Sequence, residues 1–463
     1  MLARRPLIAL AAILVGGPVA ATTARALRAL WFPWPKAEGI EVGPEFGGRL
    51  HETVQAIARR VGAPGVHRVL VTEANNASME QVPRIGVFWP VNTLLLGYPL
   101  LATLSADQMR AVIAHELAHL THAHGRLSSW VYRTRNSWLR LLDVLERHQS
   151  VPAHVYLLFR FYVPRLDVQS LAVSRRQELL ADRLAAEVTG PEVTAQALVA
   201  TGLADGVFDD VFWPAIFERV AREPDPPAPF ADMTPRLWEA DAHGIERLNR
   251  LLAGETDVSG THPALRDRLA AIGQTPRWPA AVGTAAVDGF FGPQTIELVA
   301  ALDRAWQARR EGEWRRLHGE IRARRERLAE LEAMASPTAE QTFERSRLTY
   351  EEGDERAAFD LCLAAHRQGH PAAGLEAGRM LLGREDASGI ALIDAAMAAD
   401  PALVEDGCRA AVEFLERRGR HVDAHAYRVR LIRESTRAGL ARDERTDPTV
   451  RDRAVRRRNV RSG

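Results

Sequence analysis

The apolar residues in the first quarter of the chain follow two different periods. From Leu50 to Val61 they recur at the spacing of an amphipathic helix, whereas Val66 to Val71 alternates as a half-buried strand does. A second extended stretch, Arg84 to Val91, has Pro83 and Pro90 at its ends. Because proline cannot donate a hydrogen bond to a neighbouring strand, this stretch is predicted to be an edge strand. The pattern therefore predicts one helix and two extended segments in this part of the chain.

Two helices with clear boundary signals are predicted further along the chain. Ser105 and Gln108 have the spacing of a capping box, so the first helix starts at Ala106, and Gly125 is its predicted end. The second is predicted over Ser174 to Pro191, where a Gly-Pro pair closes it. The apolar stripe of the first helix consists of Met109, Val112, Ile113, Leu117 and Leu120.

Two apolar stretches raise the question of a membrane. Arg4 and Arg5 precede an apolar run from Pro6 to Ala21, which is typical of a signal peptide or of an uncleaved N-terminal anchor. Either interpretation places the chain at the periplasmic or extracytoplasmic side of a bacterial inner membrane. The stretch Val151 to Leu166 is too short to span a bilayer and contains Arg160, so it predicts a buried helix or a membrane-facing surface.

The second half of the chain is predicted to be helical throughout. A charged helical stretch covers Gln294 to Ala333, with Trp306 and Trp314 as its expected contacts. After it, Ala358, Ala391 and Ala424 recur at 33-residue steps, with Gly353 and Gly419 five residues before the first and the last. This spacing is close to that of tetratricopeptide-like helix pairs, which stack and offer a surface to a protein partner. An unspecialised helical domain is the alternative.

Composition narrows the functional classes. The net charge is only +1 over 463 residues, which argues against nucleic acid as a partner. The chain has two cysteines, Cys362 and Cys408, and neither belongs to a C-x-x-C pair. No thiolate metal site is therefore predicted, and a disulfide between the two stays open.

The chemistry is concentrated in the first of the two capped helices, in the string HELAH from His115 to His119. Two histidines four residues apart on a helix share one face and can hold one metal ion, and Glu116 between them supplies a base. His122 lies about 10.5 Å along the helix axis from His115, too far to ligate the same ion. The third ligand must come from another segment.

The second helix supplies that ligand. Glu178 and Asp182 are four residues apart on one face, and Glu178 would complete a zinc site of two histidines and one glutamate. Asp182 would accept the outward ring N–H of a ligand histidine, His115 being the expected one. With zinc lowering the pKa of water, Glu116 would take a proton from it and pass that proton to the leaving amine.

These motifs carry a resemblance to a known family. HELAH preceded by LSADQMRAVI, SRRQELLAD from Ser174 to Asp182, and THPALRDRLAAI from Thr261 resemble the HtpX-type and BepA-type zinc metallopeptidases, a family that includes the CAAX prenyl protease. The similarity covers about residues 40 to 273. It implies a mainly α gluzincin domain with a small β-sheet, one Zn²⁺ per subunit on His115, His119 and Glu178, and Glu116 as general base.

The resemblance also implies roles for residues that the pattern alone does not single out. His262 and Arg268 lie near the metal in family terms, and His262 could occupy the open zinc position and keep the enzyme idle. Asn76 and Ala77 match an Asn-Ala pair that holds a substrate backbone, although Ser78 stands where an aromatic residue is common. The multiple long hydrophobic spans of HtpX-type members are absent, which favours the soluble or singly anchored branch.

The expected organisation follows from these observations. A signal peptide or anchor covers 1–35, a zinc metallopeptidase domain 40–273, a charged helical linker 274–335, tetratricopeptide-like repeats 336–446 and a disordered basic tail 447–463. The expected function is a zinc endopeptidase acting on misfolded or membrane-associated proteins, with a protein partner on the repeats. The alternative is a scaffold or chaperone-like binding protein with a vestigial or regulated metal site.

Overall fold

The computed structural model describes residues 38–85, 88–121, 153–233, 242–254, 263–279 and 282–446. The chain divides into two compact units, Met1–Arg315 and Arg316–Gly463. The segments 1–35 and 447–463, for which a signal or anchor and a disordered tail are predicted, lie outside the described residues. Within the described ranges, no helix has both the length and the apolar character needed to cross a membrane.

The first unit contains one four-stranded sheet. Its order is β1-β2-β4-β3, in which β2 and β4 are parallel and the other two pairs are antiparallel. The predicted strand from Val66 to Val71 corresponds to β2, and β3 is the edge strand next to the central β4. The strands are β1 (Ile40–Glu41), β2 (Arg68–Thr72), β3 (Ala77–Ile85) and β4 (Phe88–Gly97).

The predicted bounds of the edge strand were wrong. The stretch from Arg84 to Val91 belongs to two strands, because Ile85 in β3 pairs with Phe88 in β4. Pro83 and Pro90 are opposite each other in the same antiparallel register instead of marking two ends of one strand. Gly86 is the residue of this run that favours a turn, and the prediction of one strand did not take it into account. The edge strand is β3, nearer the N-terminus than expected.

The other described elements of the first unit are helical, and the short α2 follows β4 directly. The predicted helix from Leu50 to Val61 is confirmed as the greater part of α1. Single 3₁₀ turns occur at Arg219–Ala221 and Gly292–Gln294, and a π turn at Phe208–Phe212 follows α5. The helices are α1 (Pro44–Val61), α2 (Tyr98–Thr103), α3 (Ala106–Ala118), α4 (Ala153–Thr189), α5 (Pro191–Val207), α6 (Trp213–Glu218), α7 (Ala242–Ala253), α8 (Leu265–Ala271), α9 (Ala286–Phe291) and α10 (Thr295–Glu332).

Helix α3 lies at the centre of this unit, in contact with α1, α4, α5, α9 and β3. Its N-terminus is fixed by the predicted capping box, in which Gln108 N donates to Ser105 Oγ and Ser105 N donates to Gln108 Oε1. Three residues of the predicted apolar stripe, Met109, Ile113 and Leu117, are fully buried. The core of the unit therefore holds α3 along most of its length.

The end of α3 differs from the prediction. The helix stops at Ala118, with His119 as its C-cap, and does not continue to Gly125 as a regular α-helix. Leu120 N bonds to Leu117 O and Thr121 N to Ala118 O, the shorter connections that tighten a last turn. Residues 122–152, including His122, lie outside the described part of the chain.

Helix α4 starts earlier than predicted. It begins at Ala153 and runs without interruption to Thr189, so the stretch from Val151 and the helix from Ser174 form one element. The predicted stop at the Gly-Pro pair is confirmed, because Gly190 has a φ of 91°. Arg160 and Phe161 are exposed, so this part of the stretch is not buried in the unit.

Helix α10 contributes its first half to the core of the first unit. Trp306 and Trp314 are each 3% exposed, as expected for the contacts of this charged helix. Trp306 stacks on Trp213 with ring centroids 6.3 Å apart, and the Trp314 indole N–H donates to Glu223 O at 2.9 Å. The division at Arg315 thus falls inside the range 274–335, for which the sequence predicts a linker.

The described part of the second unit contains the end of α10 and, after it, three successive helix pairs. The first helices of the pairs begin at Ala339, Pro371 and Val404, 32 and 33 residues apart, and each packs against the helix that follows it. This spacing agrees with the 33-residue steps found in the sequence. The helices are α11 (Ala339–Glu351), α12 (Glu355–Arg367), α13 (Pro371–Gly383), α14 (Gly389–Ala399), α15 (Val404–Arg417) and α16 (His421–Thr446).

The three recurring alanines are not equivalent. Ala358 and Ala424 are buried, each in the second helix of its pair, whereas Ala391 is exposed. The reason is one of register: Ala391 is the third residue of α14, while the other two alanines are the fourth residues of α12 and α16. Cys362 and Cys408 are both buried and free, so they form no disulfide with each other.

Gly97 connects the sheet to the loop before β3. Its N–H donates to Asn76 O at 2.7 Å, and a Cβ at this position would lie 1.9 Å from Ala74 O and within 2.7–2.9 Å of the Asn76 backbone. Real Cβ atoms do not approach backbone so closely, so only glycine lets the two segments meet. Gly97 at the end of β4 therefore fixes the position of the segment that leads into β3.

We expect Gly97→Ala to lower the free energy of unfolding of the first unit by about 3 kcal/mol, because the backbone of Ala74 and Asn76 must move. All 10 tryptophans lie between Trp31 and Trp314, so their fluorescence during denaturant unfolding reports on this unit. The matched control is Gly65→Ala, whose Cβ would meet only Gln55 Oε1 at 3.8 Å. An equal effect of the two substitutions would contradict the close-approach argument.

Candidate metal centre and active site

Two helices bring the candidate ligands together. His115 and His119 lie in the last turn of α3 and at its C-cap, and Glu178 and Asp182 lie on the face of α4 that packs against it. The side chains of His115, Glu178 and Asp182 are buried, and Asp182 is fully so. The helical spacings recognised in the sequence thus converge on one buried point.

The three candidate ligands form a small triangle. The Nε2 atoms of His115 and His119 are 3.3 Å apart, Glu178 Oε2 lies 3.5 Å from His115 Nε2, and Glu178 Oε1 lies 3.4 Å from His119 Nε2. A tetrahedral ion with bonds of about 2.0–2.1 Å requires ligand atoms about 3.3–3.4 Å from one another. The spacing of this donor set therefore fits one zinc ion.

The charge of the surroundings also favours a cation. Burial alone would lower the pKa of His115, but its hydrogen bonds with Asp182 and Glu178 outweigh burial and raise that pKa to about 10. The ring Nδ1 lies 2.9 Å from Asp182 Oδ1. A ring with this pKa carries both protons at neutral pH, so an ion that binds Nε2 would displace the proton there, and Asp182 would keep the other proton on Nδ1.

Asp182 is held in turn by Arg268 from α8. Arg268 Nε donates to Asp182 Oδ2 at 2.9 Å and Nη2 donates to Oδ1 at 2.7 Å, a bidentate pair. Burial would raise the pKa of Asp182, but the hydrogen bonds from Arg268 and His115 lower it below its ordinary value. The carboxylate therefore stays ionised and orients the ring. Arg268 reaches the centre through Asp182 and lies 4.0 Å from Glu178.

Glu116 lies beside the two histidine ligands, and its charge acts on Arg268. A carboxylate oxygen of Glu116 lies within 4.8 Å of ring nitrogens of His115 and His119. Glu116 also lines a cavity of about 370 Å³ that His115, Asp182 and Arg268 share. A base in this position can reach a water molecule at the centre and a substrate in the cavity.

The cavity extends to the edge strand. Asn76 and Ala77, predicted to contact a substrate backbone, line it together with Asn75. Asn75 Nδ2 donates to Asp205 Oδ1 at 2.8 Å, which ties the loop before β3 to α5. Burial raises the pKa of Asp205, and nearby Asp209 adds to that rise, while the hydrogen bond from Asn75 opposes it.

The structure thus brings together every predicted site residue that it describes. His115, Glu116, His119, Glu178, Asp182 and Arg268 surround one centre, and Asn76 and Ala77 lie along its cavity. His262 and its suggested occupation of the zinc position lie outside the described residues. The sequence did not predict the bidentate contact between Asp182 and Arg268. It also did not predict that residues of α5 and α7 line the cavity, because no local spacing connects residues so far apart.

Comparison with known families assigns the chain to one of them. A search of curated proteins gave no match. Residues 45–275 match the model of peptidase family M48, whose members are zinc-dependent metallopeptidases, and this range contains all of the site residues described above. The match confirms the family resemblance that the HELAH and SRRQELLAD motifs indicate. The chain belongs to peptidase family M48, with the peptidase domain followed by a helical region.

Proposed function

We propose that the protein is a zinc-dependent endopeptidase that hydrolyses peptide bonds in protein substrates. The observation that carries this proposal is the ligand triangle of His115, His119 and Glu178, spaced for a tetrahedral ion, with Glu116 in the same cavity. A site that only stored a metal would not need a carboxylate base beside the ion or an open cavity next to it.

Each residue of the site would have its own role in the reaction. When bound, zinc supplies a Lewis acid that polarises the substrate carbonyl and lowers the pKa of water. Glu116 takes a proton from the attacking water and delivers it to the leaving nitrogen. Asp182 keeps the His115 ring in one tautomer and orientation, and Arg268 positions Asp182.

The edge strand supports the choice of an extended peptide as substrate. Among the described strands, β3 pairs with β4 alone, and its first residue, Ala77, lines the cavity together with Glu116. A peptide can add to such an edge through main-chain hydrogen bonds, which recognise any sequence in an extended conformation. This favours unfolded or locally unfolded proteins as the substrate class.

The remaining parts of the chain suggest where the enzyme acts and how it finds its targets. The apolar run from Pro6 to Ala21 supports export or anchoring, with activity at the extracytoplasmic side of a bacterial inner membrane. The three helix pairs of the second unit support a tetratricopeptide-like role in binding a protein partner. A binding protein with a silent metal site is the competing function, and Glu116 distinguishes the two.

We expect Glu116→Gln to reduce cleavage of a denatured, fluorescently labelled protein by about 10²–10⁴-fold while the zinc content stays unchanged, because general-base catalysis is lost and the ligands are kept. Zinc content is measured by elemental analysis and cleavage by the release of labelled peptides. Glu52→Gln, an exposed neutralisation on α1, is the matched control and should leave both values unchanged. Equal cleavage by Glu116→Gln and the natural protein would contradict the proposed mechanism and favour the binding function.

We expect Asp182→Asn to weaken zinc binding by about 10–100-fold, because the amide no longer fixes the tautomer of His115 with a charge. The measurement is competition with a chromophoric chelator, which needs no substrate. Asp232→Asn serves as the control, since Asp232 accepts a hydrogen bond from Arg219 at an exposed position. Unchanged affinity in Asp182→Asn, with the tryptophan fluorescence of a folded protein, would remove Asp182 from the metal centre.

A further inference from the structure

The cavity at the active site continues beyond the metal centre as a recess between α5 and α7. This part of the cavity is lined by Ala197, Leu198 and Gly202 of α5 and by Leu251 of α7. Val112, one turn before His115 on α3, lines the end nearest to the catalytic residues. The recess therefore opens directly onto Glu116 and is bounded by aliphatic side chains.

The polar groups in its walls are already engaged. The hydroxyl of Thr194 donates to Gly190 O at 3.0 Å and that of Thr201 donates to Ala197 O at 2.9 Å. Because each hydroxyl proton is used within the helix, neither threonine offers a free donor to a ligand. An apolar group that enters the recess leaves these hydrogen bonds intact, whereas an acidic group would lie in the same cavity as the Asp205 carboxyl.

One contact limits the depth of the recess. A Cβ at Gly202 would lie 2.8 Å from Leu251 Cδ2 and 3.3 Å from Cδ1, so the leucine side chain packs directly on the glycine. Any side chain at position 202 would push the end of Leu251 away from α5. Since Leu251 itself lines the cavity, the absence of a side chain at Gly202 determines how much room remains.

We infer that this recess, with Gly202 and Leu251 as its specificity-determining pair, selects a large apolar side chain on the residue that follows the cleaved bond. The inference rests on the proposed peptidase function. Glu116 delivers its proton to the leaving nitrogen, so the side chain carried by the residue with that nitrogen lies closest to Glu116 and to the recess beside it. Leucine and phenylalanine fill such a space, whereas alanine leaves it empty.

The test uses the full-length, zinc-loaded protein and a set of peptides that differ only in the residue after the cleaved bond, which is alanine, valine, leucine or phenylalanine. We expect the natural protein to cleave the leucine and phenylalanine peptides with kcat/KM values at least about 10-fold above that of the alanine peptide. Gly202→Ala should reduce this ratio by about 10-fold, because the displaced Leu251 fills part of the recess. Leu251→Ala should raise the rate for phenylalanine relative to leucine.

A matched control lies one turn further along the same helix. Gly206→Ala adds the same methyl group to α5, but its Cβ would meet only Arg247 Cδ at 3.9 Å, an ordinary contact, and Gly206 does not line the cavity. It should leave the ratio of leucine to alanine cleavage unchanged. Zinc content and tryptophan fluorescence show whether each variant is folded and loaded.

The outcomes separate this inference from the proposed function. Cleavage that depends on Glu116 but has the same profile in Gly202→Ala, Leu251→Ala and the natural protein would overturn the inference and leave the peptidase intact. If no peptide is cleaved, the proposed function fails, and the recess is then tested by binding of the same peptides to zinc-loaded Glu116→Gln. Tighter binding of the leucine peptide than of the alanine peptide by about 10-fold supports the recess, and equal binding overturns it.

Discussion

The buried Asp182 carboxylate is the group on which the active site depends. It accepts two hydrogen bonds from Arg268 and lies 2.9 Å from Nδ1 of His115, so it connects α8, α4 and α3. A fully buried charge is expensive unless it is paired and hydrogen-bonded, and removing one partner of such a pair typically costs about 3–5 kcal/mol. The same interaction that fixes the packing of three helices therefore also fixes the ligand ring.

The arrangement of the metal ligands depends on the contact between Asp182 and His115. With the His115 ring oriented, its Nε2 points to His119 and to the Glu178 carboxylate, and the three donors acquire the spacing of a tetrahedral ion. The capping box at Ser105 and the buried stripe of α3 keep these donors in place relative to the sheet. Helices α3 and α4 hold the metal ligands, and residues of α5 and α7 line the space where a substrate would lie.

Sequence reasoning was most successful where a few neighbouring residues decide the outcome. The spacing of His115 and His119, of Glu178 and Asp182, and of Ser105 and Gln108 is local, and each pattern has one helical interpretation. It failed where distant segments meet. Arg268 forms hydrogen bonds with Asp182 although the two are 86 residues apart in sequence, and Leu251 packs on Gly202 from another helix. Neither contact can be predicted from the periodicity of the sequence. The bounds of β3 were wrong for a different reason, since Gly86 within the extended run favours a turn and was not used to divide the run into two strands.

The central claim is that His115, His119 and Glu178 hold one zinc ion in a cavity shared with Glu116. A crystal structure of the zinc-loaded protein, with diffraction recorded at the zinc absorption edge, tests it most directly. We expect one anomalous peak within about 2.1 Å of both Nε2 atoms and of a Glu178 oxygen, with Glu116 outside bonding distance. A peak ligated by other residues, or no peak at this triangle, would contradict the account.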